Sequence, residues 1–295
     1  MSTIISLNVD ADGIAELRWD DPGSKVNVFS AAAIAEFGNH VTEITSSKRI
    51  TGVLITSGKK TFHAGADLNM VSGFFDASAE ALWSIMTDVM QSFYALETCG
   101  KPVAAVINGH ALGGGFEMAL AAHARFAAND PAIKLGLPEA AIGLMPGFGG
   151  TQRMARIAPY QKVAKDILAG TTFDPKTAQS LGLLTDVIPA EHVCQAARGW
   201  IAANRNAEQP WMARGYSATD DAQTFERFFH RLNAGLTRDG ADAKPQDKLI
   251  AEALYHGLQM PIEPALRLEI RRFIELTRNP AAYQTLQQSF FARRA

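Results

Sequence analysis

The sequence predicts an α/β chain that ends in an all-helical region, and three observations carry that expectation. A buried strand at residues 102–107, the glycine run Gly113-Gly114-Gly115 and an apolar helical stretch follow one another, which is the order of a crossover unit. A hairpin pattern stands near the start. From Glu191 onward the apolar residues keep helical spacing only.

Residues 4–9 and 14–19 alternate apolar and polar around Asp10-Ala11-Asp12-Gly13 and read as a β-hairpin. Asp20-Asp21-Pro22-Gly23-Ser24 is turn chemistry. Ser30 is placed to cap a helix whose Ile34, Phe37, Val41 and Ile44 share one face. Residues 52–56 form a short apolar strand. The run Phe62-His63-Ala64-Gly65-Ala66-Asp67-Leu68 is a loop that opens a helix, with Asp67 in N-cap position. Residues 81–96 make an amphipathic helix. Past a polar break at 239–245, residues 249–258 and 264–277 have helical spacing, and a last short helix covers 281–291.

With 295 residues, 47% of them hydrophobic, the chain can bury a sizeable core as one large domain or as one domain with an appendage. A net charge of −2 gives no basic face for nucleic acid. Cys99 and Cys194 make neither a disulfide framework nor a zinc spacing; both are expected to be buried, in a reducing compartment. No secretory pattern and no apolar stretch of membrane-spanning length occurs, so the expectation is a cytoplasmic chain without a membrane partner. No metal-site spacing is present, and no nucleophile elbow.

Three glycines beside a helix start let peptide N–H groups face a ligand closely. Two glutamates, Glu117 and Glu139, follow in otherwise apolar surroundings. Backbone donors beside two acids suit a reaction that makes an oxyanion and moves protons.

Three motifs, Phe62-x-Ala64-Gly65-Ala66-Asp67, Ala111-Leu112-Gly113-Gly114-Gly115-x-Glu117, and Pro138-Glu139 with Pro146-Gly147-x-Gly149-Gly150-Thr151-Gln152, closely resemble the crotonase (enoyl-CoA hydratase/isomerase) superfamily. The likeness covers roughly residues 3–200. It implies a ClpP-like spiral of ββα units, with a hydratase core over 1–200. Further on, Lys244-Pro245, Gly257-Leu258-Gln259-Met260-Pro261-Ile262-Glu263, Ala265-Leu266-Arg267-Leu268-Glu269 and Phe290-Phe291 resemble the segment that links hydratase and dehydrogenase in multifunctional fatty-acid oxidation enzymes. Residues 201–295 are therefore expected to be such a helical linker region. No Gly-x-Gly-x-x-Gly follows a strand, so the 3-hydroxyacyl-CoA dehydrogenase half is expected to be missing.

The resemblance implies hydration of a trans-2-enoyl-CoA in β-oxidation, with CoA as part of the substrate and no separate cofactor. It assigns the oxyanion donors to the backbone N–H groups of Ala64 and Gly114 and the acid–base pair to Glu117 and Glu139. Glu117 lies about one turn into its helix, so its side chain can return toward the donors. Burial raises a carboxyl pKa and a helix start lowers it, so the sequence leaves open which acid starts protonated. Lys25 and Val26, with Asn27, would meet the CoA nucleotide, Lys25 as a point charge on phosphate. Ala66, Asp67, Leu68 and Gly147 would border the substrate. Met70, Phe74, Phe75, Trp83 and Met86 are either an acyl tunnel or plain core, and His63 and His110 are expected to be packed or solvent-facing.

Two other activities fit the same residues: a Δ3-Δ2-enoyl-CoA isomerase that uses Glu139 alone, and a non-catalytic acyl-CoA-binding or assembly module. Expected partners are the acyl-CoA thioester, a second copy of the chain, or a dehydrogenase or thiolase. Leu286, Phe290 and Phe291 are expected to pack back onto the hydratase core.

Overall fold

The computed structural model describes residues 3–236 and 244–291. β1 (Ile5–Val9) and β2 (Ile14–Trp19) form the expected antiparallel hairpin, with Leu7 opposite Leu17. Asp10 closes its turn by accepting the N–H groups of Asp12 and Ile14 at 2.9 Å each. α1 (Ala31–Ser46) starts where the Ser30 hydroxyl oxygen accepts the Ala33 N–H. Its buried face is Ala33, Phe37, Val41 and Ile44; Ile34 is only half-buried and Ala33 takes its place.

β3 (Gly52–Ser57), α2 (Leu68–Gly73), α3 (Ala79–Thr98) and β4 (Val103–Ile107) follow as expected. Next come β5 (Ala111–Leu112), α4 (Gly114–Ala121), β6 (Ala124–Ala128) and β7 (Leu135–Gly136). A 3-10 turn over Pro138–Ile142 leads to α5 (Gly150–Ile157), α6 (Tyr160–Ala169), β8 (Thr172–Phe173), α7 (Pro175–Ser180), β9 (Asp186–Ile188) and α8 (Val193–Ala203). From there the described chain is helical: α9 (Ala222–Leu236), α10 (Pro245–Gly257), α11 (Ile262–Thr277) and α12 (Pro280–Leu286), closing in a π turn at Gln287–Phe291. Residues 239–243 of the expected polar break lie outside the described residues.

The elements sort into two compact units interleaved along the chain. The first draws on Met1–Asp67, Asp88–Gly136 and Thr172–Gln209; the second on Leu68–Thr87, Leu137–Thr171 and Pro210–Ala295. The sequence-based division near residue 200 differs from this grouping, because residues 68–87 and 137–171 belong with the C-terminal helices.

The first unit is built on a six-stranded sheet in the order β1-β2-β3-β4-β6-β9, parallel throughout except for the hairpin. β4 and β6 are buried at every position, as parallel strands covered on both faces must be. A small sheet, β5-β7-β8, stands apart from it. Trp19, Phe29, Phe37 and Phe93 form an edge-packed aromatic cluster beside the sheet.

In the second unit α10 and α11 pack side by side and against α5, and α9 adds Phe225 and Phe229 to Tyr160 of α6. α12 packs on α10 and α11, with Ala282 and Leu286 buried. Leu286 is thus buried, with α12 on the C-terminal helices α10 and α11, which lie beyond the expected core of residues 1–200; the side chains of Phe290 and Phe291 lie outside the described residues. Cys99 is half-buried, whereas Cys194 is exposed near the start of α8, against the expectation that both are buried. No helix among the described residues is long and apolar enough to cross a membrane.

Candidate active site

The glycine run enters α4 from β5. Gly113, with φ +53° and ψ −131°, is the N-cap, and its own N–H is donated to the Gly136 carbonyl at 2.9 Å. Gly114 is then the first helical residue, and its N–H has no acceptor among the described residues. Gly115 is held to hydrogen by space: a Cβ there would stand 2.6 Å from the His63 carbonyl oxygen. At the far end of α4 the buried Gln209 amide donates to the carbonyls of Leu120, Ala121 and Ala122, which ties off the helix.

The loop opposite is pinned by Asn27, which is fully buried. Its Nδ2 donates to the Trp19 carbonyl at 3.1 Å, the Ser57 hydroxyl at 2.9 Å and the Phe62 carbonyl at 3.3 Å. Its own carbonyl accepts the Ala64 N–H at 2.9 Å. That bond corrects the expectation for Ala64, whose N–H is already spent on the backbone. Two residues on, Phe29 brackets Ala66: the Phe29 N–H donates to Gly65 and the Phe29 carbonyl accepts from Asp67. Ala66 N–H faces away from that bridge and has no acceptor among the described residues. A Cβ on Gly65 would lie 3.4 Å from the Gly114 nitrogen, so the two loops run side by side here. Ala66 and Gly114 thus each present an unbonded donor, one from each loop.

His63 underlies this loop. It is fully buried between Trp19 and Phe29, and its Nδ1 accepts the Gly65 N–H at 3.1 Å. Burial drives its pKa down to about 3, so the ring is neutral, with its proton on Nε2. His110 instead bridges strands, accepting the Lys134 N–H at 2.9 Å on Nδ1.

Glu117 sits in the first turn of α4 and is 2% exposed. It is the one charged residue of a helix buried at all its positions, one turn along from the Gly114 donor. The first unit thus gathers Ala66, Gly114 and Glu117. Lys25 is exposed and Val26 half-buried on the turn that leads into Asn27.

In the second unit Glu139 lies in the 3-10 turn, and its Oε2 is inaccessible and without a hydrogen-bond partner. Burial, and then the charge of Glu269, push its pKa up to about 8. Leu68 opens α2. Gly147 is buried where Met86 and Phe273 leave no room for a Cβ. Phe74 packs edge-on against Phe273, Phe75 against Tyr283, and Arg271 lies over Trp83. Phe74 and Phe273 are buried, whereas Phe75 and Trp83 are half-buried against the exposed Tyr283 and Arg271.

Three contributions escaped the sequence reading. The bracket made by Asn27 has no local signal. The choice of Ala66 over Ala64 depends on which N–H the backbone has already used. Glu269 did leave a trace: it falls on the buried stripe of α11 with Ala265, Leu266, Ile270 and Phe273, where a charge is out of place.

Comparisons with known proteins give the family and the fold. Residues 10–220 match the pattern of the family described as enoyl-CoA hydratase/isomerase. The chain is 33% identical over 291 residues to the fatty acid oxidation complex subunit alpha of Idiomarina loihiensis, and 32% identical over 295 residues to that of Shewanella putrefaciens. These matches take in 97% and 99% of the chain, but only 40% and 41% of the relatives. In fold it is similar to human mitochondrial delta3-delta2-enoyl-CoA isomerase, with TM-score 0.70, 20% identity and 99% and 98% of the two chains covered. An enoyl-CoA hydratase from Bacillus anthracis gives TM-score 0.61 at 24% identity, covering 92% and 90%.

Proposed function

Since the chain belongs to the enoyl-CoA hydratase/isomerase family, whose fold is that of crotonase, we propose that it hydrates a trans-2-enoyl-CoA to the 3-hydroxyacyl-CoA. The observation that carries this reading is the pair of unbonded N–H groups at Ala66 and Gly114, with Glu117 one turn along the same helix. Water addition at C3 pushes electrons through the C2=C3 bond onto the thioester oxygen. Two preorganised donors at that oxygen contribute about 3–4 kcal/mol each.

Glu117 takes the proton of the attacking water as its oxygen bonds to C3. Glu139, whose raised proton affinity keeps it protonated near neutrality, delivers the proton to C2. Water adds across the double bond without any redox change, and no cofactor is required. Lys25 and Val26 contact the CoA nucleotide in this reading, and Ala66, Asp67, Leu68 and Gly147 the remainder of the thioester. The relatives named as alpha subunits of a fatty acid oxidation complex support a place in fatty-acid β-oxidation; a dehydrogenase or thiolase is the partner this reading expects.

Isomerisation of a Δ3-enoyl thioester is the second reading. It needs one group to carry a proton between C4 and C2, and the unpartnered Oε2 of Glu139 suits that task. The test is loss of the conjugated-thioester ultraviolet band with crotonyl-CoA and a longer enoyl-CoA, for wild type and Glu139→Gln. Loss in wild type and none in the variant supports hydration at this acid. No loss with either substrate in wild type overturns it in favour of a binding module.

A further inference from the structure

Glu269 is a carboxyl group with no place in the reaction just described, yet it is 0% exposed and fully engaged. Its Oε1 accepts the Gly149 N–H at 2.5 Å; its Oε2 accepts the Thr151 N–H at 2.9 Å and the Thr151 hydroxyl. Those two N–H groups stand at the start of α5, where the helix leaves donors unsatisfied and its dipole favours a negative charge. Every one of these contacts asks Glu269 to accept. Burial raises the Glu269 carboxyl to about 7, and the three donors on its two oxygens pull it back toward the ionised form.

Glu139, in the same unit, is the opposite case. Its buried Oε2 meets no donor. The charge of Glu269 adds to burial in raising the proton affinity of Glu139, and two buried carboxyls that interact do not both ionise near neutrality. The hydrogen bonds decide the division: the charge stays on Glu269 and the proton on Glu139. Arg153 of α5, itself buried and donating to the Phe148 carbonyl at 2.8 Å, stabilises the Glu269 charge further. From α10 the neighbour of the Glu139 turn is the neutral Gln246, which donates to the Ala140 carbonyl at 3.1 Å.

We propose that Glu269 is a positioning residue: its carboxylate braces the turn that carries Gly147 into α5 and presents a fixed negative charge to Glu139, so that Glu139 arrives at the reaction carrying a proton. This rests on Glu139 being the proton donor of the reading above. The distinction from simple helix packing is that the charge matters as well as the shape.

The experiment is a 13C carboxyl NMR titration of the full chain, with Glu139 assigned by its loss in Glu139→Gln. It is run on wild type, Glu269→Gln and Glu269→Asp, alongside the pH profile of enoyl-CoA hydration. Glu269→Gln keeps an acceptor and removes the charge; the Glu139 ionisation constant is expected to rise about tenfold, a midpoint about one unit lower. Glu269→Asp keeps the charge and is expected to restore most of the wild-type midpoint even where it lowers the Tm. A midpoint unmoved in Glu269→Gln, or moved equally in both variants, overturns the proposal.

If Glu269→Gln does not fold, Thr151→Val serves. It removes one donor from Glu269 and leaves Glu139 untouched, and its Glu139 midpoint is expected to move in the same direction by less; no movement overturns the proposal. The titration needs no substrate. A shifted midpoint in a wild-type chain that hydrates nothing supports the acid pair and counts against the hydratase reading alone.

Discussion

Asn27 accepts the Ala64 N–H at 2.9 Å, and that one bond decides which peptide of the following loop is left to face a ligand. With Ala64 engaged and Phe29 holding both neighbours of Ala66, the free donor is two residues further on. Asn27→Ala keeps that main-chain bond but removes the three bonds donated by the side chain, to the Trp19 and Phe62 carbonyls and the Ser57 hydroxyl, which hold the segment in place. A loss of about 1–3 kcal/mol in urea unfolding is expected. The hydration rate should fall further than folded fraction alone explains, because the Ala66 donor loses its aim. Normal turnover per folded molecule would count against the bracket.

Glu117→Gln and Glu139→Gln are each expected to lower hydration by about 10²–10⁴-fold. Isomerisation separates them: Glu139→Gln should abolish it, and Glu117→Gln should spare most of it. Parallel assays with Δ2- and Δ3-enoyl-CoA check this. Equal losses of isomerase activity in the two variants would remove the division of labour.

The raised pKa of Glu139 gives two pH dependences. As a donor Glu139 works only while protonated, so kcat/KM for hydration should decline as pH rises through about 8. Stability moves the same way. The native state keeps a proton that the unfolded chain releases above the ordinary value of 4.5, so the contribution is complete below about 4.5 and is lost as pH rises toward 8. Urea titrations at both ends of that window, on wild type and Glu139→Gln, should show the variant losing less stability across it.

His63 carries the reverse sign. Its folded pKa is about 3 against an ordinary 6.5, so the unfolded chain binds the extra proton. Stability from the neutral ring is complete above pH 6.5 and is lost as pH falls. Between pH 6.5 and about pH 5 the loss is about 2 kcal/mol. His63→Asn, whose amide oxygen still reaches for the Gly65 N–H, should flatten that acid limb in thermal melts at the two pH values.

Leu286 is 0% exposed on α12. Leu286→Ala should cost about 2–5 kcal/mol through the cavity it leaves. Removal of residues 281–295 should lower the Tm as well. Calorimetry on both checks whether the last helix is integral to the second unit; unchanged melts would mean it is not.

Where the sequence was readable, local physics was enough. The hairpin announced itself by alternation, α1 by Ser30 and a four-residue stripe, and the C-terminal helices by their spacing. The glycine run placed Gly114 and Glu117 correctly on one helix because strand, turn and helix are contiguous there. β5, β7 and β8 are two residues each, too short to show any period. The Ala64 assignment failed because hydrogen-bond occupancy is a tertiary fact: the acceptor lies 37 positions away, at Asn27, and nothing near Ala64 signals it. Glu269 is a longer case, since its bonds to Gly149 and Thr151 span 120 and 118 positions. The interleaving of the two units was equally hidden, because periodicity says what an element is and not which neighbours it joins.

Gln152 of α5 donates to the Ala253 carbonyl, and Arg156 to the carbonyls of Gly257 and Met260, across 101, 101 and 104 positions. Those acceptors leave a ribosome long after α5 does. At about 5–20 residues per second the interval is roughly 5–20 s. The segments of the first unit are all synthesised by Gln209, so vectorial synthesis lets that sheet condense while α5 still holds its amide and guanidinium groups in water. A nascent chain arrested between residues 210 and 250 is therefore half-native, and it is in that window that the motif helix is most open to chaperones and proteases.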